Sequence, residues 1–318
     1  MSESSEFPDI LQEIEDYIYE KVPKTKTGRM AHIGVLRKTD SYNIFTTEGS
    51  ELNLASTSKK PESEEKIQRI VMFKRKQVAS ERRKGKEILR GLYKNNSDDI
   101  EKEEAFGNFN EDEDLCRLHD NLGGKCIDCK LYGFANAEEK DGSRHSRILT
   151  DSAFSVRGLN QREDITFNAQ SEENESEAST ALNSTAHTQP ETFFPSIVTI
   201  RDFTWRELYW LIHLIESTTR YGAETSRTGY IDNQIVSIWF DTKETISNLE
   251  LTKEVTKEIE NNNGSLNDLS VQTVRKAMKE TLPNSKVDID DIKDDIKSRF
   301  ESNEINFLEK LYGSQLRD

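Results

Sequence analysis

The chain has 318 residues, 33% of them hydrophobic and 32% charged, with a formal net charge of −15. That length suits one large or two small domains whose core needs no disulfide staple, and the surplus acid excludes a protein that grips nucleic acid over its whole surface. No run of about 18 apolar residues exists to span a membrane, and the acidic start Met1-Ser2-Glu3 lacks the apolar stretch of a signal peptide, so a soluble, cytoplasmic protein with no membrane partner is expected.

Along the chain, Ile10, Leu11, Ile14, Tyr17 and Ile18 recur at helical spacing until Pro23. Two strands are predicted over Met30–Arg37 and Tyr42–Thr47, joined as a hairpin. A polar linker at 56–65 precedes the apolar run Ile70–Phe73, which reads as a buried strand. Ser80 reads as the N-cap of a helix to about Tyr93, which buries Ile88, Leu89 and Leu92 and sets Arg82, Lys86 and Arg90 four apart on one basic side. Residues 94–114 form an acidic connector, and 147–156 a further strand. The stretch 158–189 is polar and shows no sustained period; a stretch of that length is functional or disordered. After a strand at 194–200, Thr204-x-x-Glu207 is a capping box, with Trp205, Leu208, Ile212 and Ile215 as the apolar stripe of its helix. A turn-rich loop at 218–229, a strand at 234–240 and a helical region at 243–318 complete the chain. The order predicts an α+β sheet with helices on one face, of split βαβ type.

Four constellations carry chemistry. All three cysteines fall in Cys116-x-x-His119-x6-Cys126-x-x-Cys129. Two short-spaced pairs of soft or borderline donors are what a tetrahedral zinc ion takes, and four protein donors close the site, so the zinc is structural. A redox Cys-x-x-Cys would leave Cys116 and His119 unexplained, and the His-x-Glu of a deaminase is missing. The second constellation is charge. Ten Lys and Arg between Lys66 and Arg90 face only Glu81 and Glu87, whereas 97–114 carries nine acids against Lys102. Lys74, Arg75 and Lys76 at a strand end, with Arg82, Arg83 and Lys86 on the following helix, form a basic edge suited to phosphates, though such runs are also ordinary solvated faces. Third, Arg220, Tyr221 and Arg227 lie in a loop rich in Gly, Ser and Thr, where guanidinium groups bind phosphate and a tyrosine stacks a base; an ordinary helix-to-strand loop has the same composition. Fourth, Phe167 and Asn168 in the polar 158–189 stretch are placed to wedge between bases, unless that stretch is simply disordered. For catalysis there is little. Gly123-Gly124-Lys125 lacks the rest of a P-loop, and nothing selects one of Asp40, Asp151 or Asp202 for metal-assisted cleavage.

Five blocks, in order, resemble the backbone, guide-RNA-lining subunit of type I-D CRISPR effector complexes. They are Arg69-Ile70-Val71-Met72-Phe73-Lys74-Arg75-Lys76-Gln77 with Glu81-Arg82-Arg83; Cys126-x-x-Cys129-x-Leu131-Tyr132-Gly133-Phe134-Ala135; Asp151-Ser152-Ala153-Phe154-Ser155; Phe194-Pro195-Ser196-Ile197-Val198-Thr199-Ile200-Arg201-Asp202; and Thr219-Arg220-Tyr221-Gly222-Ala223-x-Thr225-Ser226-Arg227-x-Gly229. They span roughly residues 30–250; Ser80 departs from the family's frequent proline, and the acidic tail lies outside them.

The resemblance implies a modified ferredoxin-like, RNA-recognition-type palm with a zinc-binding insertion, a long thumb-like loop and a helical C-terminal region. It divides the chain into an N-terminal helix with a disordered start (1–28), the first half of the palm with its basic edge (29–93), the acidic connector and zinc insertion (94–145), a palm strand (146–157), the thumb (158–193), the second half of the palm (194–242) and the helical region (243–318). It further implies several copies assembled along a guide CRISPR RNA with other effector subunits, and target DNA met through the guide, so that pairing reads sequence and the protein reads backbone and shape. Lys74, Arg75, Lys76, Arg82, Arg83, Lys86, Arg220 and Arg227 would line the RNA groove, and 158–189 would be the thumb. Two other functions compete with this non-catalytic one: a metal-dependent nuclease subunit that cuts the target strand, and a zinc-stabilised general single-strand-binding protein.

Overall fold

The structure, a computed structural model, describes residues 7–47, 49–95, 116, 126–135, 143–167, 183–222, 226–262 and 264–315. Its first element, Asp9–Tyr17, is a 3-10 helix that buries Leu11 and Ile14. Strands β1 (Met30–Thr39), β2 (Leu54–Ser58) and β3 (Lys66–Met72) follow. Next come helices α1 (Lys74–Asn95) and α2 (Ile127–Tyr132) and the two-residue strands β4 (Phe134–Ala135) and β5 (Ser143–Arg144). Strands β6 (Ile148–Thr150), β7 (Ala153–Gly158), β8 (Arg162–Phe167), β9 (Asn183–Thr188) and β10 (Phe193–Arg201) lead to helix α3 (Trp205–Ser217). Strand β11 (Ile231–Asp241) and helices α4 (Asn248–Asn261), α5 (Val271–Thr281) and α6 (Ile289–Ser314) close the chain.

The main sheet has the order β11-β1-β10-β6 with every pair antiparallel. β1 lies inside it, Ile33 opposite Val198 on one side and Ile238 on the other. Because both its edges are taken, the expected hairpin partner at 42–47 finds no ladder. That segment makes only the isolated bridges Asn43–Thr188 and Thr46–Leu52. The expected strand over 147–156 also divides: β6 joins the main sheet, and β7 turns away at Asp151–Ser152 to pair with β3 in a second sheet, β2-β3-β7. β2 itself occupies part of the expected polar linker, and β8 and β9 form a two-stranded ladder inside the stretch that shows no period.

Helices cover both faces of the main sheet, not one. Side chains alternate along a strand, and here both alternations are apolar. Ala31, Ile33, Val35, Val198, Ile200, Ile235 and Ile238 pack with Leu208, Leu211, Ile212 and Ile215 of α3, Leu89 of α1 and Leu308 and Leu311 of α6. Leu36, Phe193, Ile197, Val236 and Trp239 pack with Leu251, Val255 and Ile259 of α4 and Val274 and Met278 of α5. A third cluster, with Phe45, Ile70, Met72, Phe194, Tyr221 and Ile231, fills the space where the second sheet meets the main one. The capping box of α3 forms as expected: Thr204 accepts from the Glu207 amide, and the Glu207 carboxylate accepts from the Thr204 amide. Among the described residues, no helix is long and apolar enough to cross a membrane.

Candidate nucleic-acid interface and metal centre

Helix α1 begins at Lys74, so Ser80 lies inside it and is no N-cap. Its first turn contains Lys74, Arg75 and Lys76 and no acid. Three cations at the positive end of a helix dipole repel one another and the exposed amides, an arrangement that an anion relieves. Lys74 and Arg75 are exposed, Arg75 with its guanidinium 5.9 Å from the Phe73 ring centre. Lys76 is half-buried and donates to the carbonyl of Thr46.

One turn further on, α1 is latched to the loop after α3. Ser80 Oγ accepts from the Gly222 amide at 3.2 Å, and Arg83 Nη2 donates to the Gly222 carbonyl at 2.6 Å. Gly222 takes φ +108°, a backbone region that favours glycine. Between the helix and the loop lies an open cleft of about 400 Å³, lined by Arg83, Lys84, Glu87, Thr218, Thr219 and Arg220 among others. Arg220 is exposed and braced by a hydrogen bond to the Thr228 carbonyl; Arg227 is exposed on the same loop. Three cations against one acid, with threonine hydroxyls and a width open to solvent, suit a phosphate ester.

Tyr221 is not available to stack a base in this structure, because its side chain is fully buried. Its hydroxyl accepts from Arg37 Nη1 at 2.6 Å and from Asn233 Nδ2 at 3.0 Å, while Arg37 Nη2 pairs with Glu81 Oε1 at 2.9 Å. Burial pushes the Tyr221 phenol well above its ordinary range. This network ties β1, α1, the loop and β11 together beneath the cleft. Sequence reading missed Arg37 and Asn233, whose only signal is a charged or polar side chain within an apolar strand.

Arg82 and Lys86 also leave the basic edge. Arg82 stands about 100° around the helix from Arg83, and Arg82, Lys86 and Arg90 all make contacts on the side of the cysteine cluster. Arg82 Nη2 is 2.8 Å and Nε 3.1 Å from Asp128 Oδ2, and Arg90 donates to the Cys116 carbonyl at 3.1 Å. Lys86 is buried, with Nζ 3.0 Å from Cys116 Sγ, 3.5 Å from Cys126 Sγ and 3.4 Å from Asp128 Oδ2. Arg69, counted with the same basic run, is buried too and spends its guanidinium on the carbonyls of Lys59, Ser155 and Val156; burial lowers its pKa to about 10.

Cys116, Cys126 and Cys129 are all buried, and their sulfurs lie within 4.8 Å of one another. Cys116 Sγ is 3.3 Å from Cys129 Sγ and 3.6 Å from Cys126 Sγ, close to the roughly 3.8 Å spacing of sulfurs around a tetrahedral ion. Cys126 caps α2, its sulfur facing the Cys129 amide, and Gly133 ends that helix at φ +76°. Hydrogen bonds from Cys126 and Cys129, then the Lys86 ammonium, hold the Cys116 thiol far below its usual range; the Cys129 thiol, hydrogen-bonded to Cys116, is pushed up to about 11. Three soft sulfur donors, one already favoured as thiolate, can hold a metal ion. His119 lies outside the described residues, as does Asn168. Phe167 ends β8 opposite Asn183.

The fold has relatives among solved structures. The Csc2 of Thermofilum pendens matches with a TM-score of 0.58 at 17% identity, over 97% of this chain and 90% of that one. A chain of a CRISPR RNA-guided surveillance complex, in a pre-nicking state, matches with a TM-score of 0.51 at 11% identity, over 80% of this chain and 89% of that one. A search of curated protein sequences returns no match. The α+β architecture is thus that of subunits found in CRISPR surveillance complexes. The family described as Csc2 Crispr matches residues 17–307, and the chain belongs to that family of CRISPR backbone subunits.

Proposed function

We propose that this protein is the multicopy, guide-RNA-lining backbone subunit of a type I-D effector complex, and that it holds the guide by its phosphates. The observation that carries the reading is the cleft between α1 and the loop after α3, where Arg83, Lys84 and Arg220 converge next to the exposed first turn of α1 with Lys74 and Arg75. The main sheet's order, with α1 and α3 as its two crossovers, supports a ferredoxin-like palm. The β8–β9 ladder supplies the base of a thumb, with Phe167 at its end and Asn168 beyond it. Arg227 and Lys76 flank the groove. Other copies of the chain, other effector subunits and target DNA paired to the guide are the partners this reading requires.

The metal in this reading is zinc, held by Cys116, Cys126 and Cys129 with His119 as fourth donor. Its chemistry is structural: it crosslinks the insertion through sulfur and imidazole. Arg82, Lys86 and Arg90 then join that insertion to α1, the helix that carries the groove.

The test is binding of single-stranded RNA in a length series at several salt concentrations. The bound stoichiometry is expected to rise in steps with RNA length. Arg83→Ala/Arg220→Ala is expected to weaken binding uniformly across sequences and to reduce the salt slope by about one for each phosphate left without its cation. Lys74→Ala/Arg75→Ala is expected to do the same. If neither double variant changes the affinity or the slope, the groove lies elsewhere.

A further inference from the structure

Arg82 and Lys86 are both committed to the cysteine cluster, and their charge exceeds what its carboxylate can match. Asp128 takes the Arg82 guanidinium through Nε and Nη2, both on Oδ2 within 3.1 Å. Lys86 retains only a 3.4 Å approach to that oxygen, and its ammonium lies nearer to Cys116 Sγ, at 3.0 Å. The side chains of Lys86 and Asp128 are each 2% exposed, so water screens little of this charge. Buried charge is tolerated where it is paired. Arg90, whose Nη2 donates to the Cys116 carbonyl at 3.1 Å, and Lys130, buried one residue beyond Cys129, add further positive charge. Three thiolates around a divalent ion carry one negative charge. Negative charge on the three sulfurs therefore offsets part of this excess.

We infer that the Lys86 ammonium supports a three-thiolate, divalent-metal centre by positioning Cys116 and Cys126 through N–H···S bonds. Lys86 is thus a positioning residue that acts through the cysteines. The inference rests on the cysteine geometry and is independent of the RNA-binding reading.

The experiment is a cobalt(II) titration of the full chain, read from the thiolate-to-cobalt absorption and the visible bands of a tetrahedral site, with a competing chelator to give the affinity. Lys86→Met is expected to bind cobalt about 10–100-fold more weakly than wild type, the usual cost of removing an outer partner of a metal ligand. Should Lys86→Met fail to fold by circular dichroism, Lys86→Arg, which keeps the charge, is expected to bind within about threefold of wild type. The inference is overturned by a wild type without thiolate-to-cobalt absorption, by a folded Lys86→Met that binds as tightly as wild type, or by a tenfold loss in Lys86→Arg.

Discussion

Arg37 and Glu81 meet with side chains 0% and 1% exposed, and Arg37 also donates to Tyr221 of the loop at the candidate cleft. A buried pair broken on one side leaves an uncompensated charge, so Arg37→Met is expected to cost about 3–5 kcal/mol in urea unfolding. Tyr221→Phe, which removes one hydroxyl from the same network, is expected to cost nearer 1 kcal/mol. His32 supplies the pH dependence at this scale. It is buried between β10 and β11, bonded to Thr199 Oγ1 and stacked on Trp239, and burial lowers its pKa, with Asp241 and the Lys243 carbonyl partly offsetting. A histidine whose folded pKa is depressed binds its proton more readily when unfolded. Its share of stability is therefore whole above the unfolded pKa of about 6.5 and is lost as pH falls toward the folded value, at no more than about 1.4 kcal/mol per pH unit. The melting temperature is expected to fall between pH 7 and 5, and His32→Leu to flatten that fall. Tyr221 shows where reading residues singly goes wrong: the sequence identifies an aromatic hydroxyl among arginines but does not say whether the ring faces a base or a core.

At the scale of elements, helix ends are the most legible features where capping is local. The box Thr204–Glu207 sits where the spacing puts it, and Thr204→Ala is expected to cost about 1 kcal/mol. That carboxylate also pairs with the buried Arg147 and accepts from Gln315 Nε2, long-range uses that no local pattern announces. The start of α1 escapes the same reasoning for a related cause. Ser80 and Glu81 have the types of an N-cap and a first turn, but both side chains are spent on tertiary partners, the Gly222 loop and Arg37. The turn after α2 depends on Gly133, where a Cβ would lie 2.3 Å from the Arg144 carbonyl oxygen at φ +76°. Gly133→Ala is expected to destabilise the chain by roughly 1–3 kcal/mol or more and to weaken metal binding, both measurable by thermal unfolding with and without chelator.

Across the whole molecule, α6 closes the face of the main sheet that also holds α1, α3 and the cysteine cluster. Its Ile292, Ile296, Phe300, Phe307, Leu308 and Leu311 are buried there, and Gln315 just beyond it reaches the Ile127 carbonyl of α2. Six such side chains are worth roughly 9–18 kcal/mol of burial, against a total stability of about 5–15 kcal/mol. A chain ending at Val287 is therefore expected to be insoluble or unfolded, as read by expression and circular dichroism. The tail is thus part of the core rather than an appendage, although the sequence blocks that carry the family resemblance stop before it.

What the sequence determined by itself is what repeats or closes over short range: the buried strands, the α3 capping box, the helical tail, the clustering of the three cysteines and the ordered blocks of the family. These follow from side-chain periodicity and from donors a few residues apart, and both act before the chain is folded. Only the tertiary structure decided which cations face the cleft. Arg82, Lys86 and Arg83 lie within five residues of one another, yet the first two face Asp128 and the cysteines while the third faces the cleft. Charge along a helix is visible in sequence; the partner that neutralises it comes from 46 residues away for Arg82, and only packing brings that partner into reach.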